Sequence, residues 1–180
     1  KSSELGNSYA LNDLGDCYYY GDGVERDYSK AIEYYQKSSE LGNSYALNDL
    51  GDCYYYGDGV ERDYSKAIEY YQKSSELGNS YALNDLGDCY KNGEGVEQDY
   101  SKAIEYYQKS SELGNSDALT KLGKMYENGD GVEQDYSKAI EYYQKASELG
   151  KSDAQSFIEK LQMLINSQEW SILFLQHKKF

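Results

Sequence analysis

The chain has no proline, and only one histidine, one tryptophan and two methionines among its 180 residues. Each shortage removes a class of explanation. With His177 as the single imidazole, a multi-histidine metal centre, a Cys–His pair within the body of the chain and a Ser–His–Asp triad all lack a member. No apolar run approaches the ~20 residues that a helix needs to cross a bilayer, and the N-terminus shows no basic segment followed by an apolar core. Positive charge is scarce as well. Eighteen Lys and Arg stand against 32 Asp and Glu, a net charge of −14, which repels a phosphate backbone instead of releasing its counterions. Nucleic acid is an unfavourable partner, no membrane span is expected, and nothing in the sequence calls for a cofactor.

What is present is repetition. Lys1–Gln36 is identical to Lys37–Gln72, and Lys73–Gln108 differs from them only at Lys91, Asn92, Glu94 and Gln98. Lys109–Gln144 has drifted further, and Lys145–Phe180 loses the pattern early. A 36-residue period points to stacked units that share one continuous core. Cys17, Cys53 and Cys89 recur at that period with Met125 in the fourth slot, so the position asks for an apolar side chain and the thiols are expected to be buried and reduced. Equivalent residues on stacked helices lie about 10 Å apart, beyond disulfide reach. Three unpaired thiols favour a reducing, cytoplasmic compartment.

Within a block, Ala10, Leu14, Cys17 and Tyr18 fall at helical spacing and predict helix A over Ser8–Tyr20, with Asn7 as its N-cap and Gly21 as its left-handed stop. After a loop to Asp27, helix B is predicted over Tyr28–Leu41, with Tyr28, Ala31, Ile32, Tyr35, Ser38 and Leu41 facing inward and Glu33 paired with Lys37 outside. An interior helix glycine costs about 1 kcal/mol relative to alanine, so Gly15, with Gly51, Gly87 and Gly123, marks a close approach of helix B. Glu159 occupies that position in the fifth block. The array is therefore expected to stop there, with Ser152–Asn166 as a lone capping helix. The predicted fold is all-α: an α/α superhelical solenoid of helix-turn-helix repeats over residues 1–150, then a C-terminal capping helix and apolar tail over 151–180.

Ala10, Leu14-Gly15, Tyr18, Gly21-x-Gly23-Val24, Asp27-Tyr28, Ala31, Tyr34-Tyr35 and Gly42 together resemble the Sel-one-like repeat, a relative of the tetratricopeptide repeat. Glu25 stands where the family usually has proline, and Ser38 and Ser39 take late helix-B positions. The resemblance implies an adaptor or scaffold in which a right-handed superhelix holds partner proteins on a concave face lined by the A helices.

No catalytic residue is assigned, and the chain is read as a non-enzyme. The acids of Gly21–Asp27 have neither the length nor the order of a calcium loop. By helical phase, one side of helix A collects Tyr9, Asn12, Asp16, Tyr19 and Tyr20, then Tyr45, Asn48, Asp52, Tyr55 and Tyr56, then Tyr81, Asn84, Asp88 and Lys91 with Asn92. The fourth block departs with Asp117, Thr120, Lys124, Glu127 and Asn128. Tyrosines beside carboxylates suit a basic or neutral polar ligand, either a polypeptide or a glycan. Alternatively, some of them pack between neighbouring A helices and only stabilise the stack. Near-identical units also suit open-ended assembly, so a filament or tube subunit is the second functional reading. Lys1–Leu5 matches only the last turn of helix B. The flank of helix A at Ala10, Leu11 and Cys17 is thus expected to lie uncovered, either because the sequence is a fragment of a longer array or because that edge docks onto another copy in self-association. The tail Trp170–Leu175 reads as a second capping helix or as a docking element.

Overall fold

The structure, a computed structural model, describes the backbone of residues 2–177 and the side chains of residues 7–167. The described residues form α1 (Ser2–Tyr20), α2 (Tyr28–Glu40), α3 (Ser44–Tyr56), α4 (Tyr64–Glu76), α5 (Ser80–Asn92), α6 (Tyr100–Glu112), α7 (Ser116–Asn128), α8 (Tyr136–Glu148) and α9 (Ala154–His177), with no strand among them. Helices α1, α3, α5 and α7 are the A helices of four repeats, and the even-numbered ones the B helices. The chain divides into two compact units, Lys1–Tyr106 and Tyr107–Phe180, with the boundary inside α6.

Local chemistry starts and stops each helix. Asp27, Asp63, Asp99 and Asp135 each accept a hydrogen bond from the backbone amide three residues on, which satisfies an orphan donor of the B-helix first turn. Asn43, Asn79 and Asn115 cap α3, α5 and α7, each accepting from the backbone amide two residues on. Asn7 does not, because α1 runs unbroken through it from Ser2. The side chains of Lys1–Leu5 lie outside the described residues. At the other end of α3, Gly57 adopts φ +81° and donates to the Cys53 carbonyl at 2.9 Å. Leu41 corrects another expectation: helical phase ends at Glu40, so Leu41 becomes the C-cap and leaves the inward stripe to lie exposed, as do Leu77, Leu113 and Leu149.

The α1–α2, α3–α4 and α7–α8 pairs each close on a buried tyrosine. A Cβ built on Gly15 would sit 2.5 Å from Cε1 of Tyr35, and one on Gly123 2.6 Å from Cε1 of Tyr143. Glycine's helix penalty is thus offset by aromatic contact that no larger residue permits. In the first unit, Ala31, Ile32 and Tyr35 of α2 pack against Ala46, Leu50 and Cys53 of α3, and Ala67, Ile68 and Tyr71 of α4 repeat this against Ala82, Leu86 and Cys89 of α5. The turn between α2 and α3 is tied by buried polar groups. Ser38 Oγ donates to the Ser8 carbonyl at 2.6 Å and accepts from Asn43 Nδ2 at 3.0 Å. That explains the late helix-B serine.

Cys53 and Cys89 are buried as expected, and burial pushes both thiols up to about 12. Cys17 is only partly buried, which corrects the reading of the three as alike. No described element flanks α1 as α2 flanks α3, and Ala10 is exposed where Ala46 and Ala82 are fully buried.

The second unit packs Leu119 of α7 and Ala139, Tyr143 and Ala146 of α8 with Ala154, Ile158 and Leu161 of α9. Ala154, Ile158 and Leu161 stand in the register of Ala10, Leu14 and Cys17, so α9 repeats the core stripe of an A helix. Glu159, in the glycine position, is exposed and accepts from Gln155 at 3.1 Å. One continuous helix replaces the expected Ser152–Asn166 cap and separate tail helix. The side chains of Trp170–Leu175 and His177 lie outside the described residues.

Candidate functional site

The sequence-selected residues of the first three repeats sit on α1, α3 and α5, all in the first unit, but at different depths. Tyr9, Tyr45 and Tyr81 are about half exposed, at 50, 46 and 53 %. Their rings form a row across the helices, with centroids 6.3 Å apart from Tyr9 to Tyr45 and 6.4 Å apart from Tyr45 to Tyr81. Tyr20 and Tyr56 are also exposed, each edge-on to its neighbour, Tyr19 or Tyr55, at 4.9 Å. Those neighbours are partly buried and anchored through their hydroxyls. Tyr19 donates to Asp58 at 2.6 Å, and Tyr55 donates to Glu94.

Asn12, Asn48 and Asn84 lie deeper, each only 7 % exposed. Asn12 Nδ2 donates to Asp49 at 2.9 Å, Asn48 Nδ2 to Asp85 at 3.2 Å, and Asn84 Nδ2 to Asp85 at 3.2 Å. The amide oxygens of all three are buried and accept no hydrogen bond from the described residues. Asp16 and Asp52 accept the hydroxyls of the core tyrosines Tyr35 and Tyr71 at 2.7 Å, so a buried ring from helix B reaches through to the A-helix face. Asp88 is partly buried on α5, and Lys91, also partly buried, lends its carbonyl to Gln98 at 2.8 Å.

Sequence reasoning missed Asp49 and Asp85, although they follow Asn48 and Asn84 directly and lie only about 40° around the helix from Tyr45 and Tyr81 at 100° per residue. Their cross-repeat role depends on the offset between stacked helices, which the pattern of one helix does not contain. Burial pushes Asp49 up to about 7 against the Asn12 hydrogen bond, with Asp16 and Asp85 adding like charge. Burial also pushes Asp52 up to about 7, followed by the charge of Asp85, against the Tyr71 hydrogen bond. Burial raises Asp16 as well. Among the described residues, Asp16, Asp49 and Asp52 accept from the neutral donors Tyr35, Asn12 and Tyr71. The face is therefore rich in acceptors and poor in donors, rimmed by tyrosine rings. Such an arrangement suits N–H donors and cations, and the raised thiols of Cys53 and Cys89 stay protonated.

In the second unit the corresponding residues are satisfied locally. Asp117 pairs with Lys151, Glu127 with Lys160 at 2.9 Å, and Lys124 lies 5.2 Å over the Phe157 ring. Thr120 donates to the Ser116 carbonyl at 3.1 Å. Asn128 is exposed. Among the described residues, no group of three or more His, Cys, Asp or Glu is arranged to hold a metal ion, and no helix is long and apolar enough to cross a membrane.

The Sel1 repeat matches four times in succession, at residues 8–43, 44–79, 80–115 and 116–151. Among solved structures, the chain is similar to a Sel1 repeat protein from Oxalobacter formigenes, with 33 % identity, a TM-score of 0.79, and coverage of 86 % of this chain and 63 % of that one. It is similar to a protective antigen of uropathogenic Escherichia coli strains displaying an SLR fold, at 39 % identity and a TM-score of 0.70, over 88 % of this chain and 34 % of that one. The cysteine-rich protein B of Helicobacter pylori is 32 % identical with a TM-score of 0.57, over 76 % of this chain and 98 % of that one. This chain thus spans less than two thirds of the length of the first two. No curated protein matches it. Sel1 repeat proteins are generally non-catalytic protein-interaction scaffolds. With the repeat covering residues 8–151, at the helix boundaries described above, the chain belongs to the Sel1 repeat family.

Proposed function

We propose that the chain is a non-catalytic interaction scaffold that binds a polypeptide along the A-helix face of α1, α3 and α5. The observation that carries this reading is the row of half-exposed rings, Tyr9, Tyr45 and Tyr81, bordering buried acceptors at each repeat. Aromatic rings give contact area at little entropic cost, and the partly exposed carboxylates of Asp16, Asp49 and Asp52 beside them accept from the backbone N–H groups and cationic side chains that a polypeptide supplies along its length. Selection of a displayed random-peptide library tests it. Peptides enriched on the wild type are expected to be lost on the Tyr9→Ser, Tyr45→Ser, Tyr81→Ser variant, whose helical content by circular dichroism stays unchanged. Equal retention by both proteins overturns the reading.

A further inference from the structure

We infer that the occupant of the A-helix face is an extended polypeptide segment with Lys or Arg at every second position, lying across α1, α3 and α5 in register with the repeats. The inference rests on the polypeptide-binding reading and adds conformation, charge and spacing to it. Spacing comes first. The same ring on successive A helices recurs every 6.3 to 6.4 Å. Two residues of an extended strand rise about 6.4–6.8 Å, so alternate side chains of such a strand keep step with the row from one repeat to the next. A helical ligand rises about 1.5 Å per residue and repeats a face only every three to four residues, so it offers no such match.

Charge and hydrogen bonding fix the chemistry of the side chains pointing inward. Asp16, Asp49 and Asp52 lie on this face with neutral donors and other carboxylates around them. The amides of Asn12 and Asn48 sit in the same row, bonded through Nδ2 to Asp49 and Asp85. Their buried oxygens remain without a donor among the described residues. A group that only donates, an ammonium or guanidinium, suits the partly exposed carboxylates. The exposed faces of Tyr9, Tyr45 and Tyr81 accept the same cations at the rim. Residues between the cations point away from the protein, so their identity is not selected.

Fluorescence anisotropy with two labelled peptides of the same length and composition tests this. One alternates Lys-Thr and the other repeats Lys-Lys-Thr-Thr, which turns half of its lysines away from the face when extended. The alternating peptide is expected to bind about tenfold tighter. Its affinity is expected to fall about tenfold or more in the Asp16→Asn, Asp49→Asn, Asp52→Asn variant, which keeps an acceptor for each core hydroxyl, and to fall with added salt in the wild type. Equal affinity for the two peptides, with a loss for both in the variant, overturns the register but leaves polypeptide binding standing. Failure of both peptides to bind overturns the inference, and the peptide-library selection then decides the broader reading separately. Unchanged binding by the variant overturns the charge argument outright.

Discussion

The second and fourth A helices of the array, α3 and α7, carry the same core and different surfaces. In α3 the A-helix face carries Tyr45, Asn48, Asp49 and Asp52, and in α7 the same positions are Asp117, Thr120, Lys121 and Lys124. The buried positions barely change: Ala46, Leu50, Gly51 and Cys53 against Ala118, Leu122, Gly123 and Met125, all of them buried. Even so, the core imposes one demand on the surface. Tyr71 and Tyr143 are buried rings whose hydroxyls need an acceptor. Tyr71 finds Asp52, and Tyr143, with lysine at that place, finds Glu127 at 2.7 Å. The two faces therefore differ in what is left over. On the A-helix face of the first unit Asp16, Asp49 and Asp52 accept from the neutral donors Tyr35, Asn12 and Tyr71, whereas in the second unit Lys160 neutralises Glu127 and Lys151 neutralises Asp117.

The largest expected effect tests the shared half of that comparison. Gly51→Leu and Gly123→Leu each drive a side chain into a core tyrosine ring and are expected to destabilise their unit by about 2 kcal/mol or more through overpacking. Urea unfolding measures both. If one substitution were tolerated and the other not, the two cores would not be equivalent.

Acid and base response is expected to separate the units by sign. Asp49 and Asp52 titrate near 7 in the folded chain and near the ordinary carboxylate value when unfolded. The folded state therefore holds more protons between those limits, and the stability of the first unit falls as pH rises from about 4 to about 7. Glu127 runs the other way. Burial raises it, but the hydrogen bonds from Lys160 and Tyr143 and the charge of Lys124 outweigh burial and hold it below the usual glutamate range. Its contribution is present above the unfolded value and lost as pH falls through the folded one. Helix-resolved hydrogen exchange, corrected for intrinsic rates, is expected to show α3 better protected at pH 5 than at pH 8, with Asp49→Asn and Asp52→Asn removing the difference. A unit 1 that gains protection toward pH 8 would contradict the assignment.

Which of these features were legible in the sequence follows from the range of the forces involved. The 36-residue identity, the helical periodicity, the Asp27 cap and the Gly15 approach are properties of one repeat, and each reappears in the structure. Leu41 was misplaced because a helical wheel does not show where the wheel stops. Asn7 was misplaced because a sequence that caps a helix in three repeats lies within a helix in the first. The Asn12–Asp49 bond and the Tyr9–Tyr45 ring contact depend on the offset between neighbouring repeats, which no intra-repeat pattern records.

A smaller effect concerns the thiols. Cys17 is expected to react with a thiol reagent in native buffer well before Cys53 and Cys89, which wait for unfolding, because α1 has an open flank and α3 and α5 do not. Equal native rates for all three would mean that α3 and α5 are no better covered than α1.

The smallest expected effect lies on the outer side of the B helices, where sequence identity between repeats coexists with a difference in contacts. Lys37 bonds Glu33 at 2.6 Å and lies 5.2 Å over the Tyr34 ring, while Lys73 lies 5.5 Å over Tyr70. Both side chains of the Glu33–Lys37 pair are about half exposed, so water and salt compete with the ion pair, and ordering two long side chains offsets most of its attraction. The helix beneath is held by Ala31, Ile32 and Tyr35, none of which touches the question. Glu33→Ala and Glu69→Ala are therefore both expected to leave the urea midpoint within error of the wild type, and any drop for Glu33→Ala should vanish at high salt. The lysine above each ring keeps its aromatic contact in either variant, which leaves little else to lose. A loss approaching that of Gly51→Leu, or one that survives high salt, would place structural weight on the outer face and invert the division between packed and solvated sides on which the A-helix site depends.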